Sequence, residues 1–387
     1  MPNKNAGSLK SSIISLLGEA PRSLAVLKET TQVSLPTLRL ALQELSDDGW
    51  VSPAGQSSST GGRRAILYGL NGDTHLIIGV HLEIPAINMV VSNLNSQIID
   101  RVHLDYSQDL LPEEAVNQII KYVRKIRGTY SKRNILGLGL ATPGFIDKTS
   151  GKILFSIRAP HWQNFPLKDR LENDLGLPVM VENDVDCMTV AELANADFPD
   201  FTDILYLGFT EGVKVSMLLN GQLIKGPFGN AGMIGHIVTS PNTSQEIASV
   251  TSVCREFDQQ VATLSNPSNE LQKILGLTDR SLKFRGILDA VETEKICKEI
   301  IYSLIDVIAQ EISRLIQILH SELLIIGGAL SHLPPKLREY TELSIRNRLP
   351  LFISNHLLIR YATMVGARVA ATGAAIRFLQ LYQIEST

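Results

Sequence analysis

Five residues near the start of the chain have types and a spacing that suit hydrogen bonding to a nucleic acid. Ser34, Thr37 and Arg39 are short polar or cationic side chains at the beginning of one predicted helix. A helix is narrow enough to lie in the major groove of DNA, where such side chains meet base edges. Arg63 and Arg64 end a glycine-rich loop, from which their charges could reach phosphates or the minor groove. The alternative is a protein-docking module whose arginines are solvated.

Three short helices must position these residues. An apolar helical pattern predicts the first over Ser12–Leu17, and a second follows over Leu24–Thr31 with Ser23 as its N-cap. Ser34 can cap a third helix that carries Pro36 in its first turn, because proline is well tolerated there. The third helix is the one that presents the candidate base-reading residues.

A hairpin and a local positive charge complete this N-terminal region. Two apolar runs, Trp50–Val51 and Ala65–Leu70, flank a polar Gly/Ser loop and predict a β-hairpin. Residues 1–70 contain seven Lys and Arg against five Asp and Glu, whereas the whole chain has a net charge of -3. Any nucleic-acid contact should therefore be local. The order of elements predicts a winged helix-turn-helix domain.

Length and composition limit the remaining possibilities. A chain of 387 residues is too long for one ordinary core, so we expect two or three modules. The content of 44% hydrophobic and 19% charged residues is that of a globular protein, not of a disordered or fibrous one. The chain shows no signal-peptide pattern at its start and no apolar stretch of the roughly 20 residues that a membrane helix needs. We expect a cytoplasmic protein without a membrane partner.

From His75 onward, predicted strands alternate with helices, which indicates an α/β domain. The predicted strands are Leu76–Val80, Ile87–Leu94, Gln97–His103, Ile135–Leu140, Pro178–Val181, Asp203–Gly208, Val215–Leu219 and Leu323–Ile326, and the predicted helices are Pro112–Ile126 and Thr293–Leu319.

Six motifs in a fixed order resemble the ROK family of repressors, open reading frames and sugar kinases. They are Gly137–Gly144, Ala159–Trp162, Leu177–Asp184, Asn220–Gly226, Ala231–His236 and Ile325–Gly328. The helix-turn-helix followed by Thr60–Arg64 resembles the repressor branch of the family, which includes xylose and N-acetylglucosamine repressors.

The resemblance implies an α/β fold in which a winged helix-turn-helix precedes a two-lobed, actin-like ATPase domain similar to a sugar kinase. We expect the DNA-binding domain at residues 1–72. Lobe I should cover residues 73–195 and be completed by a C-terminal helix at 372–387. Lobe II, at 196–371, should also provide the dimer contact.

The resemblance also implies that catalysis has been lost. The family's general base corresponds to Asp184, which is present as a vestigial base candidate. The family's kinases read Asp-x-Gly-Gly-Thr where this chain has His81–Pro85, so the metal-side carboxylate and the flexible glycines are missing. Glu211 lies in the second phosphate loop, where it would face anions unfavourably. We therefore expect neither an enzyme nor a cofactor.

No metal site is expected either. His236 matches the histidine of the family's zinc site, but no cysteine cluster follows it. Cys254 alone cannot complete a tetrahedral thiolate site. Cys187, Cys254 and Cys297 are scattered and have no C-x-x-C spacing, so we interpret them as buried thiols.

The resemblance places a sugar pocket at five positions, where the family's kinases bind sugar hydroxyls. This chain has His161, Asn183, Asp184, Met233 and His236 there, and Met233 replaces a glutamate. We predict effector binding by His161, Asn183, Asp184 and His236. The alternative is that Asn183 and Asp184 bond locally to hold the hinge between the lobes, while the histidines are core residues.

These expectations predict a repressor of carbohydrate-metabolism genes. It would bind double-stranded operator DNA as a homodimer or dimer of dimers, because paired heads read two half-sites, and a sugar or sugar phosphate would modulate that binding. Two alternatives stay open at this point. One is a sugar kinase with an appended DNA-binding domain, and the other is a regulator whose kinase-like domain, its body, binds a partner protein.

Overall fold

The computed structural model describes residues 4–57, 64–83, 86–106, 111–156, 160–195, 201–239, 242–243 and 248–382. The chain forms two compact units. The first comprises Met1–Ala191 with Ala367–Thr387, and the second comprises Glu192–Gly366.

The N-terminal part of the first unit, here called the head, is a winged helix-turn-helix. Its elements are α1 (Lys4–Glu19), β1 (Arg22–Ser23), α2 (Leu24–Thr31), α3 (Leu35–Asp47), β2 (Val51–Gln56) and β3 (Ile66–Leu70), and the sheet order is β1-β3-β2. Ser23 caps α2 as predicted, since its side chain accepts a hydrogen bond from the Val26 amide at 3.4 Å. The helix α1 is longer than the predicted Ser12–Leu17. The residues before Ser12 show no apolar helical spacing, so the sequence did not predict them as part of the helix.

The rest of the first unit is a five-stranded sheet with helices. Its elements are β4 (His75–Leu82), β5 (Ala86–Asn93), β6 (Ile98–Asp105), α4 (Pro112–Thr129), β7 (Asn134–Thr142), β8 (Phe145–Ile146), β9 (Ile153–Phe155), α5 (Leu167–Leu175), β10 (Val179–Asn183) and α6 (Asp184–Asn195). The sheet order is β10-β7-β4-β5-β6. Strands β4, β7 and β10 are parallel, so their carboxyl ends lie at the same edge of the sheet. The helix α6 begins directly at that edge and continues into the second unit.

The C-terminal helix (Val369–Leu381) packs closely on this sheet. A Cβ atom added to Gly139 of β7 would lie 2.0 Å from the carbonyl oxygen of Ala374. A Cβ atom added to Gly79 of β4 would lie equally close to the carbonyl oxygen of Ala371. Only glycine fits at this separation. The glycines of the Gly137–Gly144 motif thus bring the helix backbone against the strands.

The head and the sheet of the first unit share one hydrophobic core. Trp50, at the end of the head's helical part, is 7% exposed, and its ring meets the His75 ring edge-on with centroids 4.3 Å apart. The buried members from the head are Ile13, Ile14, Leu17, Leu27, Leu38, Ala41, Leu42, Leu45, Trp50, Val51 and Leu70, and those from the rest of the unit are Ile77, Leu94, Leu136, Ala375, Phe378 and Leu379. The head is therefore packed onto the sheet and the C-terminal helix.

The second unit is built around another five-stranded sheet in the order β13-β12-β11-β16-β17. Its strands are β11 (Ile204–Phe209), β12 (Val213–Leu219), β13 (Gln222–Leu223), β14 (Val238–Thr239), β15 (Asn242–Thr243), β16 (Leu323–Gly328) and β17 (Leu358–Tyr361). Its helices are α7 (Val250–Ala262), α8 (Asn269–Leu275), α9 (Arg280–Asp289), α10 (Lys295–Leu319), α11 (Pro335–Arg346) and α12 (Leu351–His356). Among the described residues, no helix is both long enough and apolar enough to span a membrane.

Candidate functional site

The helix α3 presents the predicted base-reading residues on its exposed side. Leu38, Leu42 and Leu45 point into the core, whereas Thr37 and Arg39 are exposed. Ser34 is the N-cap: its hydroxyl oxygen accepts a hydrogen bond from the Thr37 amide at 3.3 Å and lies 2.7 Å from the Thr37 hydroxyl oxygen. The cap fixes the first turn, so Ser34 and Thr37 lie together at the positive end of the helix.

One exposed residue of this helix, Leu40, was not among the predicted DNA-binding residues. Leu40 is 61% exposed and lies one turn after Thr37, so the two residues share a face. The helical spacing carried the signal, because Leu38, Leu42 and Leu45 already fill the buried face and leave Leu40 outside it. Arg64 is described and exposed, whereas Arg63 lies outside the described residues.

In the rest of the first unit, the carboxyl edge of the sheet brings His81 and Asp184 together. His81 lies near the end of β4, and Asp184 is the first residue of α6. The Nε2 atom of His81 is 3.9 Å from a carboxylate oxygen of Asp184, and its Nδ1 atom is 4.0 Å from a carboxylate oxygen of Glu83. These are ion-pair distances, too long for hydrogen bonds. His81 and Asp184 are both buried.

These neighbours shift the pKa of His81. Burial lowers the pKa of the imidazole, but the carboxylates of Asp184 and Glu83 raise it by more, so the pKa of His81 ends above its usual value. A protonated His81 would compensate the negative charge of Asp184. His81 therefore lies beside Asp184 at a position where the family resemblance implies a metal-side carboxylate.

Asn183, the last residue of β10, makes local hydrogen bonds. Its side-chain oxygen accepts a hydrogen bond from the Val185 amide at 3.0 Å, and its side-chain nitrogen donates one to the Gly144 carbonyl at 3.5 Å. Asp184 also accepts a hydrogen bond from the Val185 amide, at 2.9 Å. These bonds hold the turn from β10 into α6.

The two predicted pocket histidines lie on separate short helices. His161 is exposed in the 3₁₀ turn Pro160–Trp162, where the neighbouring Trp162 is buried. His236 belongs to the second unit and is exposed at the end of the 3₁₀ turn Ile234–His236. The structure thus brings Asn183, Asp184 and His81 to one edge, while each of these two histidines is presented on its own surface turn.

In the second unit, Glu211 lies in the turn between β11 and β12. Its carboxylate accepts hydrogen bonds from the Thr251 hydroxyl at 2.7 Å and from the Arg280 guanidinium at 3.0 Å. The Val250 amide donates to the Thr210 carbonyl in the same turn, at 3.1 Å. Glu211 therefore does more than carry a charge that would repel anions, because it joins the turn to α7 and α9.

The glycine pair that ends β16 is required by packing. A Cβ atom on Gly327 would lie 2.2 Å from the Tyr206 hydroxyl oxygen, and one on Gly328 would lie 2.0 Å from the Phe209 carbonyl oxygen. Gly328 also has a φ of +69°, which favours glycine. The pair would therefore be needed whether or not a nucleotide binds.

The described residues contain no group of three or more His, Cys, Asp and Glu side chains that could hold a metal ion. Burial, together with the nearby Glu211 carboxylate, raises the pKa of the Cys254 thiol to about 12. A thiol of this kind is protonated at neutral pH, and metals bind the thiolate.

The family assignment rests on a match over most of the chain. The model described as "ROK family" matches residues 77–380. The chain belongs to the ROK family. A xylose repressor from Caldicellulosiruptor bescii is 26% identical over 303 residues, which cover 74% of each protein. An N-acetylglucosamine repressor from Escherichia coli is 25% identical over 283 residues, which cover 72% of this chain and 67% of the relative.

Solved structures agree with this fold. A ROK family transcriptional regulator, described as a homologue of the E. coli MLC protein, superposes with a TM-score of 0.80 at 17% identity and covers 97% of this chain and 96% of its own. A ROK glucokinase from Streptomyces griseus has a TM-score of 0.64 at 21% identity, covering 78% of this chain and 98% of its own. The predicted combination of a winged helix-turn-helix with a sugar-kinase-like α/β body is confirmed.

Proposed function

We propose that this protein is a cytoplasmic transcriptional repressor of carbohydrate-metabolism genes. The observation that carries the proposal is the capped helix α3, whose exposed face presents Thr37 and Arg39 from a winged helix-turn-helix. The relatives named as xylose and N-acetylglucosamine repressors support the same role. Operator DNA would be bound by a homodimer or a dimer of dimers, because two heads read two half-sites.

The body would sense a sugar or sugar phosphate and would not phosphorylate it. The proposed effector contacts are His161, Asn183 and Asp184 of the first unit and His236 of the second unit. Two features argue against phosphoryl transfer. The vestigial base Asp184 faces His81 in place of a metal-side carboxylate, and the carboxylate of Glu211 lies in the turn where phosphate would need a neutral glycine-rich loop.

The DNA half of the proposal is tested by selecting preferred sequences from a random duplex pool and measuring affinities for them. Arg39→Ala should cost about 1–3 kcal/mol and relax the sequence preference if Arg39 contacts a base. Arg64→Ala should weaken binding to all sequences alike and lower the slope of affinity against salt by about one. Unchanged binding in both variants would mean that α3 and the wing do not form the DNA-reading surface.

The effector half is tested by repeating the affinity measurement with a panel of sugars and sugar phosphates. An effector must bind the free and DNA-bound forms with different affinities, so one ligand should shift the operator affinity. Asp184→Asn and His236→Ala should reduce that shift. If no ligand shifts the affinity, effector control in this form is wrong. Calorimetric titration with Mg-ATP should show no binding, and ATP turnover that Asp184→Asn abolishes would instead establish a kinase.

A further inference from the structure

The helix α3, which we propose reads DNA, carries one exposed leucine in its middle. Leu40 is 61% exposed. It lies between the polar first turn, where Ser34 and Thr37 are joined by hydrogen bonds, and the polar last turns of α3. Leu40 has no hydrogen-bonding group, so it gains nothing from water or from a phosphate at this position.

The polar residues that follow Leu40 are already engaged within the head. The Glu44 carboxylate forms an ion pair with Lys10 at 2.9 Å. The side-chain nitrogen of Gln43 donates a hydrogen bond to the Asp47 carboxylate at 2.8 Å. The first contact joins α3 to α1, and the second lies within α3 itself. The exposed residues of the first half of α3 include Thr37, Arg39 and Leu40.

We propose that Leu40 recognises the C5 methyl group of a thymine in each operator half-site, an inference that rests on the proposed DNA binding. In the major groove the thymine methyl group is the distinctive apolar feature of the base edges. Cytosine carries only a hydrogen atom at C5, so an aliphatic side chain makes less apolar contact with it. Leu40 therefore discriminates thymine from cytosine, while Thr37 and Arg39 supply polar contacts.

The test replaces single thymines in the selected duplex by deoxyuridine, which removes only the C5 methyl group. At one thymine in each half-site, the wild-type protein should lose affinity about three- to fivefold per methyl group, the effect of exposing one methyl-sized apolar group. Leu40→Ala should bind the thymine duplex more weakly and should no longer distinguish thymine from deoxyuridine at that position. Leu40→Met should keep part of the discrimination. Deoxyuridine at any other thymine should change the affinity equally in the wild type, Leu40→Ala and Leu40→Met.

Leu282 of α9 provides a matched control, because it is a leucine of similar exposure, 57%, in the second unit. Leu282→Ala should leave every thymine effect unchanged. If Leu40→Ala keeps the full thymine preference, the proposal is wrong. A change in oligomeric state by sedimentation with an unchanged base preference would assign Leu40 to a contact between protein chains and would also overturn it. A pool without any enriched sequence would contradict both this inference and the proposed function, whereas enrichment without a Leu40-dependent thymine overturns this inference alone.

Discussion

The indole ring of Trp50 stacks on the phenol ring of Tyr382, with ring centroids 5.7 Å apart and an interplanar angle of 28°. Trp50 belongs to the head, and Tyr382 directly follows the C-terminal helix. The Phe378 ring, one turn earlier in that helix, lies 5.5 Å from the Tyr382 ring. Three aromatic side chains therefore join the head to the helix that packs on β4 and β7.

Trp50→Ala should destabilise the first unit by about 3–5 kcal/mol, because it removes a buried aromatic side chain from the core shared by the head and the sheet. Operator affinity should fall as well, since the head would lose its fixed position. Thermal unfolding and DNA titration at the same temperature measure the two effects.

Tyr382→Phe is the matched control for this substitution, since it keeps the ring that stacks on Trp50. It should retain most of the stability and DNA affinity of the wild type. If Trp50→Ala unfolds at the wild-type temperature, the aromatic contact does not stabilise the packing of the head.

His75, which contacts Trp50, should make the stability of the first unit depend on pH. Burial lowers the pKa of His75, and a hydrogen bond at Thr74 and the charge of Asp48 offset this only in part. The unfolded chain, with an ordinary histidine pKa of about 6.5, then binds more protons than the folded chain as the pH falls. The contribution of His75 to stability is present above that value and is lost as the pH falls toward the lowered folded-state pKa. His75→Phe should preserve the edge contact with Trp50 and flatten the acid side of a plot of unfolding free energy against pH. An equally steep acid side in this variant would contradict the assignment.

His81 should show the opposite sign. The pKa of His81 is raised, because the carboxylates of Asp184 and Glu83 outweigh the effect of burial. Its contribution to stability is therefore complete below the unfolded value of about 6.5 and is lost as the pH rises through the folded-state pKa. Asp184→Asn should lower the pKa of His81, measured by NMR titration of the ring. Glu83→Gln should lower it less, because Glu83 is partly exposed to solvent. A pKa that does not move in Asp184→Asn would show that the two side chains are not paired.

Local signals in the sequence predicted much of the fold. Ser23 and Ser34 predicted the beginnings of α2 and α3, because the hydroxyl oxygen of an N-cap serine accepts a hydrogen bond from an amide in the first turn of the helix that follows. The two-residue strand β1 was missed because it is too short to show a pattern, and it forms only by pairing with β3. The sequence does not predict the early start of α1, because the residues before Ser12 show no apolar helical spacing.

The contacts that define the candidate site were harder to predict because they join distant parts of the chain. His81 was recognised only as a replacement for a metal-side residue, and its pairing with Asp184 depends on β4 and β10 ending at one edge. For Glu211, the sequence showed only a negative charge. It did not show that Thr251 and Arg280 lie close enough to bind the carboxylate. The stacking of Trp50 on Tyr382 links residues at opposite ends of the chain.

Glu192 should be important for the second unit near the point where the chain crosses between units. This carboxylate is 1% exposed and accepts hydrogen bonds from the amide and hydroxyl of Thr363, at 2.8 and 2.9 Å, and from the amide of Met364 at 2.8 Å. Glu192→Gln should destabilise the unit by about 1–3 kcal/mol, because the neutral amide has one acceptor oxygen for three donors. Denaturant unfolding measures the loss. Glu299→Gln, at a side chain that is 57% exposed, should change stability by no more than about 0.5 kcal/mol. Equal effects in both variants would contradict the role of Glu192.

Ser34 allows helix capping to be separated from DNA contact. Its hydroxyl oxygen accepts the hydrogen bond from the Thr37 amide, a task that aspartate and asparagine perform equally well. Ser34→Asp should therefore keep or raise the stability of the head, since a negative charge is favourable at a helix N-terminus. In the complex with DNA, however, the same negative charge would lie near phosphates. We therefore expect the affinity for all sequences to fall about tenfold, which corresponds to roughly 1.4 kcal/mol. Ser34→Asn, neutral and also a good cap, should bind DNA nearly as well as the wild type. Fluorescence anisotropy with the selected duplex measures the difference, and equal affinities for the Asp and Asn variants would mean that the N-terminus of α3 does not approach DNA.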